Sequence, residues 1–201
     1  MTLHDPFLMA RLGLAVSESL APLEGGGHVV LITSATPFAD ESVAELLAQE
    51  LASKLDGDVA LVDLREQAPA GARNNAGGMA ALMTGSEIKA GEAKADAGGV
   101  FRLFAGKAAR ADMLFQAAAL STALSALRTR FQLTVIAGPA LQECGALVQQ
   151  SDKVLLVIDA RATSPRVVRR AMAQARVEGT DIDGAILANA QENLPSWLAA
   201  A

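Results

Sequence analysis

Short runs of β-branched and aliphatic residues alternate with longer segments of helical spacing, and this alternation constrains the fold more than any other feature of the chain. The apolar runs lie at 28–33, 58–63, 100–104, 133–136, 154–159 and 184–188. The segments with helical spacing lie at 41–55, 112–130 and 166–178. Continuous apolar runs are typical of strands buried on both faces of a parallel sheet. Strand then helix, repeated, predicts an α/β fold: a doubly wound, mainly parallel sheet flanked by helices.

The size and charge of the chain narrow the possible functions. Its 201 residues fit a single domain, with an N-terminal helix predicted over 5–20 and a tail over 191–201. The segment 66–99 is rich in Gly and Ala, which predicts either a mobile excursion or a plain surface loop. The net charge is −5, so we expect neither nucleic acid nor anionic lipid as a partner.

The expected location is the cytoplasm. No stretch approaches the ~20 apolar residues that span a bilayer, so we expect no membrane insertion. The first residues lack the pattern of a secretion signal. Cys144 is the only cysteine, which excludes an intrachain disulfide, and with His4 and His28 it is too isolated to predict a metal site.

The loop after the first strand bears on ligand binding, because ligands in open α/β sheets bind beyond the carboxyl ends of the strands. It reads TSATPFADES from 33 to 42. A phosphate-binding loop needs glycines, a lysine and a final Ser or Thr, and only the hydroxyl of Ser42 is present. A carboxylate ~4 Å from a phosphate oxygen costs about 4 kcal/mol at an effective dielectric near 20. Asp40 and Glu41 should therefore repel a triphosphate and instead stabilise the start of a helix.

Several motifs, in order, resemble the cytoplasmic domains of bacterial tyrosine kinases in polysaccharide export, which are relatives of the Min/Par ATPases. The motifs are TSATPFADES, VDLREQAP, GMAALMTG, FRLFAGK, FQLTVIAGP and the segment 152–189. Together they span nearly the whole chain. The resemblance implies a P-loop-like ATPase fold.

The resemblance also implies a nucleotide site whose chemistry is largely replaced. Phe38 and Asp40 stand where glycines belong, and Glu41 stands where the lysine belongs. Asp63 matches the first acid of the second motif, or it is simply a polar residue that ends a strand, and Arg65 replaces the second acid. The residues of this vestigial site are Thr36, Pro37, Phe38, Asp40, Glu41, Ser42, Asp63 and Ala137, where Ala137 replaces an acid that orders magnesium. We therefore expect ATP and magnesium binding to be lost.

The segment 5–14 resembles the family helix through which subunits pack together and face a membrane-embedded chain-length protein. Asp5, Phe7, Arg11 and Leu14 correspond to that helix, whereas Leu8 replaces one of its arginines. The resemblance implies a polysaccharide co-polymerase as partner and a homo-oligomer. An ordinary amphipathic helix packed on its own domain is the equally open alternative.

The expected function is a catalytically inactive, kinase-like subunit, and not an enzyme. It would bind a membrane co-polymerase in exopolysaccharide or holdfast synthesis and export, at the inner face of the inner membrane. The chain has no tyrosine, which excludes tyrosine autophosphorylation in cis. One alternative is an enzyme that uses Asp63, Asp159 or Ser42 in the same crevice. Another is a Min/Par-type positioning protein. Asn189 falls one position late for a base-contacting role.

Overall fold

The computed structural model describes residues 6–20, 26–36, 42–65, 78–88, 95–106, 116–177 and 179–189. The strands in these residues are β1 (His28–Ser34), β2 (Val59–Asp63), β3 (Val100–Phe104), β4 (Leu133–Ala140), β5 (Lys153–Asp159) and β6 (Gly184–Ala188). The helices are α1 (Pro6–Ser19), α2 (Ser42–Lys54), α3 (Gly78–Met83), α4 (Ala117–Arg130), α5 (Ala146–Gln150) and α6 (Pro165–Val177), with a 3-10 turn at Leu141–Glu143.

The six strands form one sheet in the order β3-β2-β4-β1-β5-β6, and every neighbouring pair is parallel. The predicted α/β fold with a doubly wound sheet is confirmed. Because all strands run in the same direction, their carboxyl ends meet at a single edge of the sheet. That edge is where ligands bind in open α/β folds.

Helices cover both faces of the sheet, and successive strand residues alternate between two cores. In β1, Val29 and Leu31 face the core under α3 to α6, whereas Val30 and Ile32 face the core under α1 and α2. None of these four side chains is more than 5% exposed. Burial on both faces explains why the strands read as continuous apolar runs.

The N-terminal helix lies on the second of these cores. Met9 and Val16 of α1 are buried there with the apolar side of α2. Gly13 permits the close approach of the two helices, since a Cβ at this position would lie 2.8 Å from the Cγ of Glu50. The inner side of α1 therefore packs on its own domain.

The fourth strand is longer than the apolar run that predicts it. The run ends at 136, but β4 continues to Ala140. Gly and Pro usually punctuate strands, yet Gly138 and Pro139 are held inside this one. The hydroxyl of Thr33 donates to the carbonyl of Pro139 at 2.7 Å. At Gly138 a Cβ would lie 2.7 Å from Cδ1 of Leu31, so only glycine fits without a shift.

The segment 66–99 contains a helix that its composition does not predict. α3 begins at Gly78, whose φ is 49°, and a Cβ there would lie 2.2 Å from the carbonyl oxygen of Phe104. Glycine is thus required where α3 meets the end of β3. Residues 66–77 and 89–94 lie outside the described part of the chain, as does the tail 191–201, so the mobility of this segment stays a prediction.

Candidate functional site

A crevice opens at the carboxyl edge of the sheet, between β2, β3 and the first turn of α2. Its volume is about 350 Å³. The lining residues are Ser42, Glu45, Leu61, Asp63, Arg65, Arg102, Leu103 and Phe104. Two arginines and two carboxylates stand among apolar strand residues, so charged and apolar side chains line the crevice together.

Asp63 is held by Arg65. One carboxylate oxygen accepts the backbone N–H of Arg65 at 2.9 Å and its Nε at 3.1 Å. The other oxygen accepts Nη2 at 3.1 Å. The two side chains are 18% and 22% exposed, so water screens this pair only in part. Two-pronged arginine–carboxylate pairs are the geometrically specific kind.

Arg102 joins two other acids at the same crevice. It reaches from the middle of β3 to Glu45 of α2 at 2.5 Å and to Asp96 at 2.7 Å. The hydrogen bond to Glu45 raises the pKa of Arg102 against the opposing effect of burial, and Asp96 adds to the rise. Burial works to raise the pKa of Asp96, but hydrogen bonds from Arg102, Val100 and Gly98 outweigh it and hold that pKa below its usual value. The network ties α2 to β3 by charge.

Of the predicted site residues that the structure describes, two line this crevice, one lies beside it and one follows β1, two strands away from β2. Ser42 begins α2 and lines the crevice with Asp63. Ala137 of β4 is the direct neighbour of Asp63 on β2 and is buried. Thr36 is half-buried after β1, and its carbonyl accepts the hydroxyl of Ser34 at 2.6 Å. The other four predicted residues, Pro37, Phe38, Asp40 and Glu41, lie outside the described residues.

Asp159 does not join Asp63 and Ser42. It ends β5, and both β4 and β1 lie between β5 and β2. Three strand spacings make the two strand ends about 14 Å apart. Asp159 instead accepts the backbone N–H groups of Arg161 at 2.8 Å and of Ala162 at 3.1 Å. Of the three residues in the alternative of an enzyme, Asp63 and Ser42 line the crevice and Asp159 does not.

Asn189 has a structural partner at the end of β6. Its amide donates to the free oxygen of the Asp159 carboxylate at 3.1 Å, and its φ is 54°. The backbone N–H of Arg161 is the main cause that lowers the pKa of Asp159, opposed by desolvation and helped by Asn189. Asn189 thus closes a turn, and the structure gives it no contact to the crevice.

The sequence analysis missed Glu45, Asp96 and Arg102. One signal was present, because an arginine in the middle of the apolar run VFRLF is expected to have a partner. The identity of that partner could not be predicted from the sequence, since Glu45 lies 57 residues away in the chain.

The described residues do not fit a magnesium site. Within them, no group of three or more His, Cys, Asp or Glu side chains could hold a metal ion. Both oxygens of Asp63 are engaged by Arg65, and Ala137 beside it has no side-chain oxygen. The loop that would meet the phosphates lies outside the described residues, so the loss of ATP and magnesium binding stays a prediction.

The predicted partner helix is α1. Arg11 is exposed on it, and Leu14 is 50% exposed. Asp5 lies outside the described residues, and so does the side chain of Phe7. In the described part of the chain, no helix is both long and apolar enough to cross a membrane.

Known proteins share this architecture. No protein-family model matches the chain, and no curated protein matches its sequence. The VpsO kinase domain is 31% identical, with a TM-score of 0.69 over 92% of this chain and 96% of that chain. The kinase domain of the Escherichia coli tyrosine kinase ETK is 18% identical, with a TM-score of 0.68 over 94% and 76% of the two chains. A ParA family ATPase from Chlorobium tepidum is 11% identical, with a TM-score of 0.55 over 82% and 73%.

The parallel sheet and the crevice at its carboxyl edge define a P-loop NTPase-like α/β protein, and the fold of the ParA family ATPase agrees with this class. The chain belongs to the bacterial tyrosine kinase domains, because its identity with the VpsO kinase domain is 31% over nearly all of both chains. The predicted family is confirmed. The prediction that the chain is not an enzyme is wrong, since the members of this family are kinase domains.

Proposed function

We propose that this protein is a kinase-like subunit that binds a membrane-embedded polysaccharide co-polymerase in bacterial exopolysaccharide or holdfast synthesis and export. The observation that carries the proposal is the similarity to the VpsO kinase domain, which extends over 92% of the chain. Such a subunit works at the cytoplasmic face of the inner membrane, where the co-polymerase recruits it.

The outer side of α1 supports a docking role. Met9 and Val16 point into the core, and this leaves Arg11 and Leu14, three residues apart, exposed on the outer side of the helix. A basic residue beside a half-exposed leucine suits a protein partner better than solvent alone. The same surface would serve contacts between copies of this chain in a homo-oligomer.

Co-purification with the co-polymerase tests the docking role. We expect Arg11→Glu and Leu14→Asp to lower recovery of the protein with the detergent-extracted co-polymerase about tenfold, as for interface residues whose loss costs over ~1 kcal/mol. Thr129→Glu is the matched control, because Thr129 is exposed on α4, on the other face of the sheet. Equal recovery of all three variants would contradict the proposal, as would normal polymer output from a deletion strain.

We also propose that the Asp63–Arg65 pair limits magnesium and ATP binding in the crevice. The support is the three hydrogen bonds that occupy both carboxylate oxygens. While the pair is closed, a magnesium ion would have to displace the guanidinium to reach the carboxylate. The arginine also adds a positive charge at the place where the cation would bind.

Calorimetric titration with magnesium and ATP tests this second proposal. We expect the native protein to bind magnesium and ATP weakly, and Arg65→Ala to gain about tenfold in magnesium affinity. Arg128→Ala is the matched control, since it breaks an arginine–aspartate pair with Asp152, at the start of β5 and away from the crevice. Micromolar binding by the native protein would show that the pair does not limit the site.

A further inference from the structure

α6 presents a row of arginines to solvent. Its inner residues pack on the core, and these are Val168, Ala171, Met172 and Ala175. Its outer side carries Arg166, Arg169, Arg170 and Arg176, all exposed, which together form the arginine ridge. Because residues three and four apart in a helix share a face, the four side chains line up on one side. Ten residues at about 1.5 Å each make the ridge about 15 Å long.

The four arginines of the ridge differ from those arginines of the protein that have a described charge partner. Those pairs are Arg65 with Asp63, Arg102 with Glu45 and Asp96, Arg128 with Asp152, and Arg130 with Asp58. In the part of the chain that the structure describes, no arginine of the ridge forms an ion pair. α6 itself contains no acidic residue. The fold therefore holds four like charges together without neutralising them.

This concentration of charge carries a cost within the helix. Arg166 lies three residues from Arg169 and four from Arg170, and like charges at these spacings repel each other. A helix face that only has to be solvated usually mixes acids with bases, which attract at the same spacings. A ridge of one sign is instead complementary to a negative surface outside the protein.

We propose that the arginine ridge is a docking surface for an anionic lipid bilayer, which the protein contacts from the side without insertion. The four arginines lie on one exposed side of a single helix, so they can meet a flat surface at the same time. The apolar side of α6 is used by the core, which leaves charge rather than insertion as the source of binding. Such binding falls as salt rises. The inference is independent of the proposed co-polymerase, because it needs lipid alone.

An exposed apolar side chain favours lipid over nucleic acid. Val177 is 88% exposed and lies on the same side of α6 as the ridge, seven residues from Arg170 and eleven from Arg166. The headgroup region of a bilayer accepts an apolar side chain beside basic ones, whereas a phosphate backbone offers it no apolar contact. The net charge of −5 argued against lipid in the sequence analysis. Because salt screens charges beyond about 8 Å, however, a bilayer surface interacts mainly with the protein charges that lie close to it. The local charge of α6, rather than the net charge of the chain, therefore determines whether this side of the protein binds an anionic surface.

Vesicle co-sedimentation of the purified full chain tests the proposal. The probes are vesicles of phosphatidylglycerol mixed with phosphatidylcholine, and vesicles of phosphatidylcholine alone. We expect binding to the first and not to the second, and loss of that binding in half-molar salt. Arg170→Glu should weaken it about tenfold, and Arg169→Glu with Arg170→Glu further still. Arg170→Lys should keep it, because the attraction depends on charge.

Lys54→Glu is the matched control, since it changes the net charge equally at an exposed position of α2, which lies on the opposite face of the sheet from α6. It should bind vesicles like the native protein. Thermal unfolding followed by circular dichroism checks that the reversed variants are folded. Equal vesicle binding by Arg170→Glu and the native protein would overturn the proposal. So would an equal loss in Lys54→Glu, binding to phosphatidylcholine alone, or tighter binding to duplex DNA than to the anionic vesicles.

Discussion

Two turns of this protein share a sequence pattern and differ in chemistry. Asp63 ends β2 and is followed by Leu and Arg, and Asp159 ends β5 and is followed by Ala and Arg. In both turns the aspartate accepts the backbone N–H of the arginine two residues on, at 2.9 Å and 2.8 Å. The middle residue continues the sheet in both, by N–H donation from Leu64 to Ala137 and from Ala160 to Ala188. The backbone of the two turns is thus nearly the same.

The two turns differ in the contacts of their side chains. Arg65 lies in the crevice and grips both oxygens of its aspartate, whereas Arg161 is exposed and Asp159 turns its free oxygen to the amide of Asn189. The middle residue gives a physical reason, because Leu64 is fully buried in the core under α3 to α6. Ala160 at the same position is exposed and anchors nothing. A shared local pattern therefore determines the turn but not the ion pair.

The largest expected effect comes from making the first turn like the second. Leu64→Ala should lower the free energy of unfolding by about 2–5 kcal/mol, because it removes a fully buried leucine side chain from the core. The reverse change, Ala160→Leu, should stay within about 0.5 kcal/mol at its exposed position. Denaturation by urea measures both. A loss below about 1 kcal/mol for Leu64→Ala would show that this side chain does not anchor the turn.

Double-mutant cycles should separate the two aspartate–arginine pairs. Changing Asp63 and Arg65 to alanine, singly and together, should give a coupling energy of about 1 kcal/mol, since the pair is two-pronged and only partly screened. The same cycle on Asp159 and Arg161 should show a smaller coupling, because these side chains share no described hydrogen bond and interact only through their charges. Urea denaturation of the four variants in each cycle provides the measurement. Equal coupling energies in both turns would show that the two aspartate–arginine pairs do not differ in strength.

A conservative exchange should sharpen the same difference with a smaller effect. Arg65→Lys keeps the charge but loses the fork that binds two oxygens, so we expect a cost of about 0.5–1 kcal/mol. Arg161→Lys should leave the free energy of unfolding unchanged, because only its backbone N–H contacts the aspartate. Thermal unfolding of the two variants, side by side, is sufficient. A larger cost at Arg161 than at Arg65 would reverse the assignment.

The smallest expected effect is the acid dependence of the second turn. The pKa of Asp159 is lowered in the folded protein, first by the N–H of Arg161. Its carboxylate therefore stabilises the fold above the unfolded pKa of about 3.9, and this is lost as the pH falls through the lower folded-state pKa. Asp159→Asn should flatten the fall of stability below about pH 4. Asp181→Asn, at an exposed position, is the control, and equal curves for both variants would contradict the prediction.

Local patterns were sufficient for the architecture. Each strand except β4 ends within a residue of its apolar run, because burial on both faces demands a continuous run and a run can be read from neighbours in sequence. β4 was underestimated, since Gly138 and Pro139 normally end a strand and are kept in this one by contacts to Leu31 and Thr33 on β1. The placement of Asp63 at a strand end, and of a helix start at 41, within one residue of the start of α2, was also predicted from local pattern.

Contacts between distant segments decided the rest. The link from Arg102 to Glu45 and Asp96, the grip of Arg65 on Asp63, and the gathering of four unpaired arginines on one exposed side of α6 all depend on which faces the sheet buries. The sequence shows which side chains are charged, but packing determines which oppositely charged side chain each one contacts. Sequence periodicity specifies which side of an element is buried, whereas only the folded chain determines which charges meet across a crevice and which remain open to a surface outside the protein.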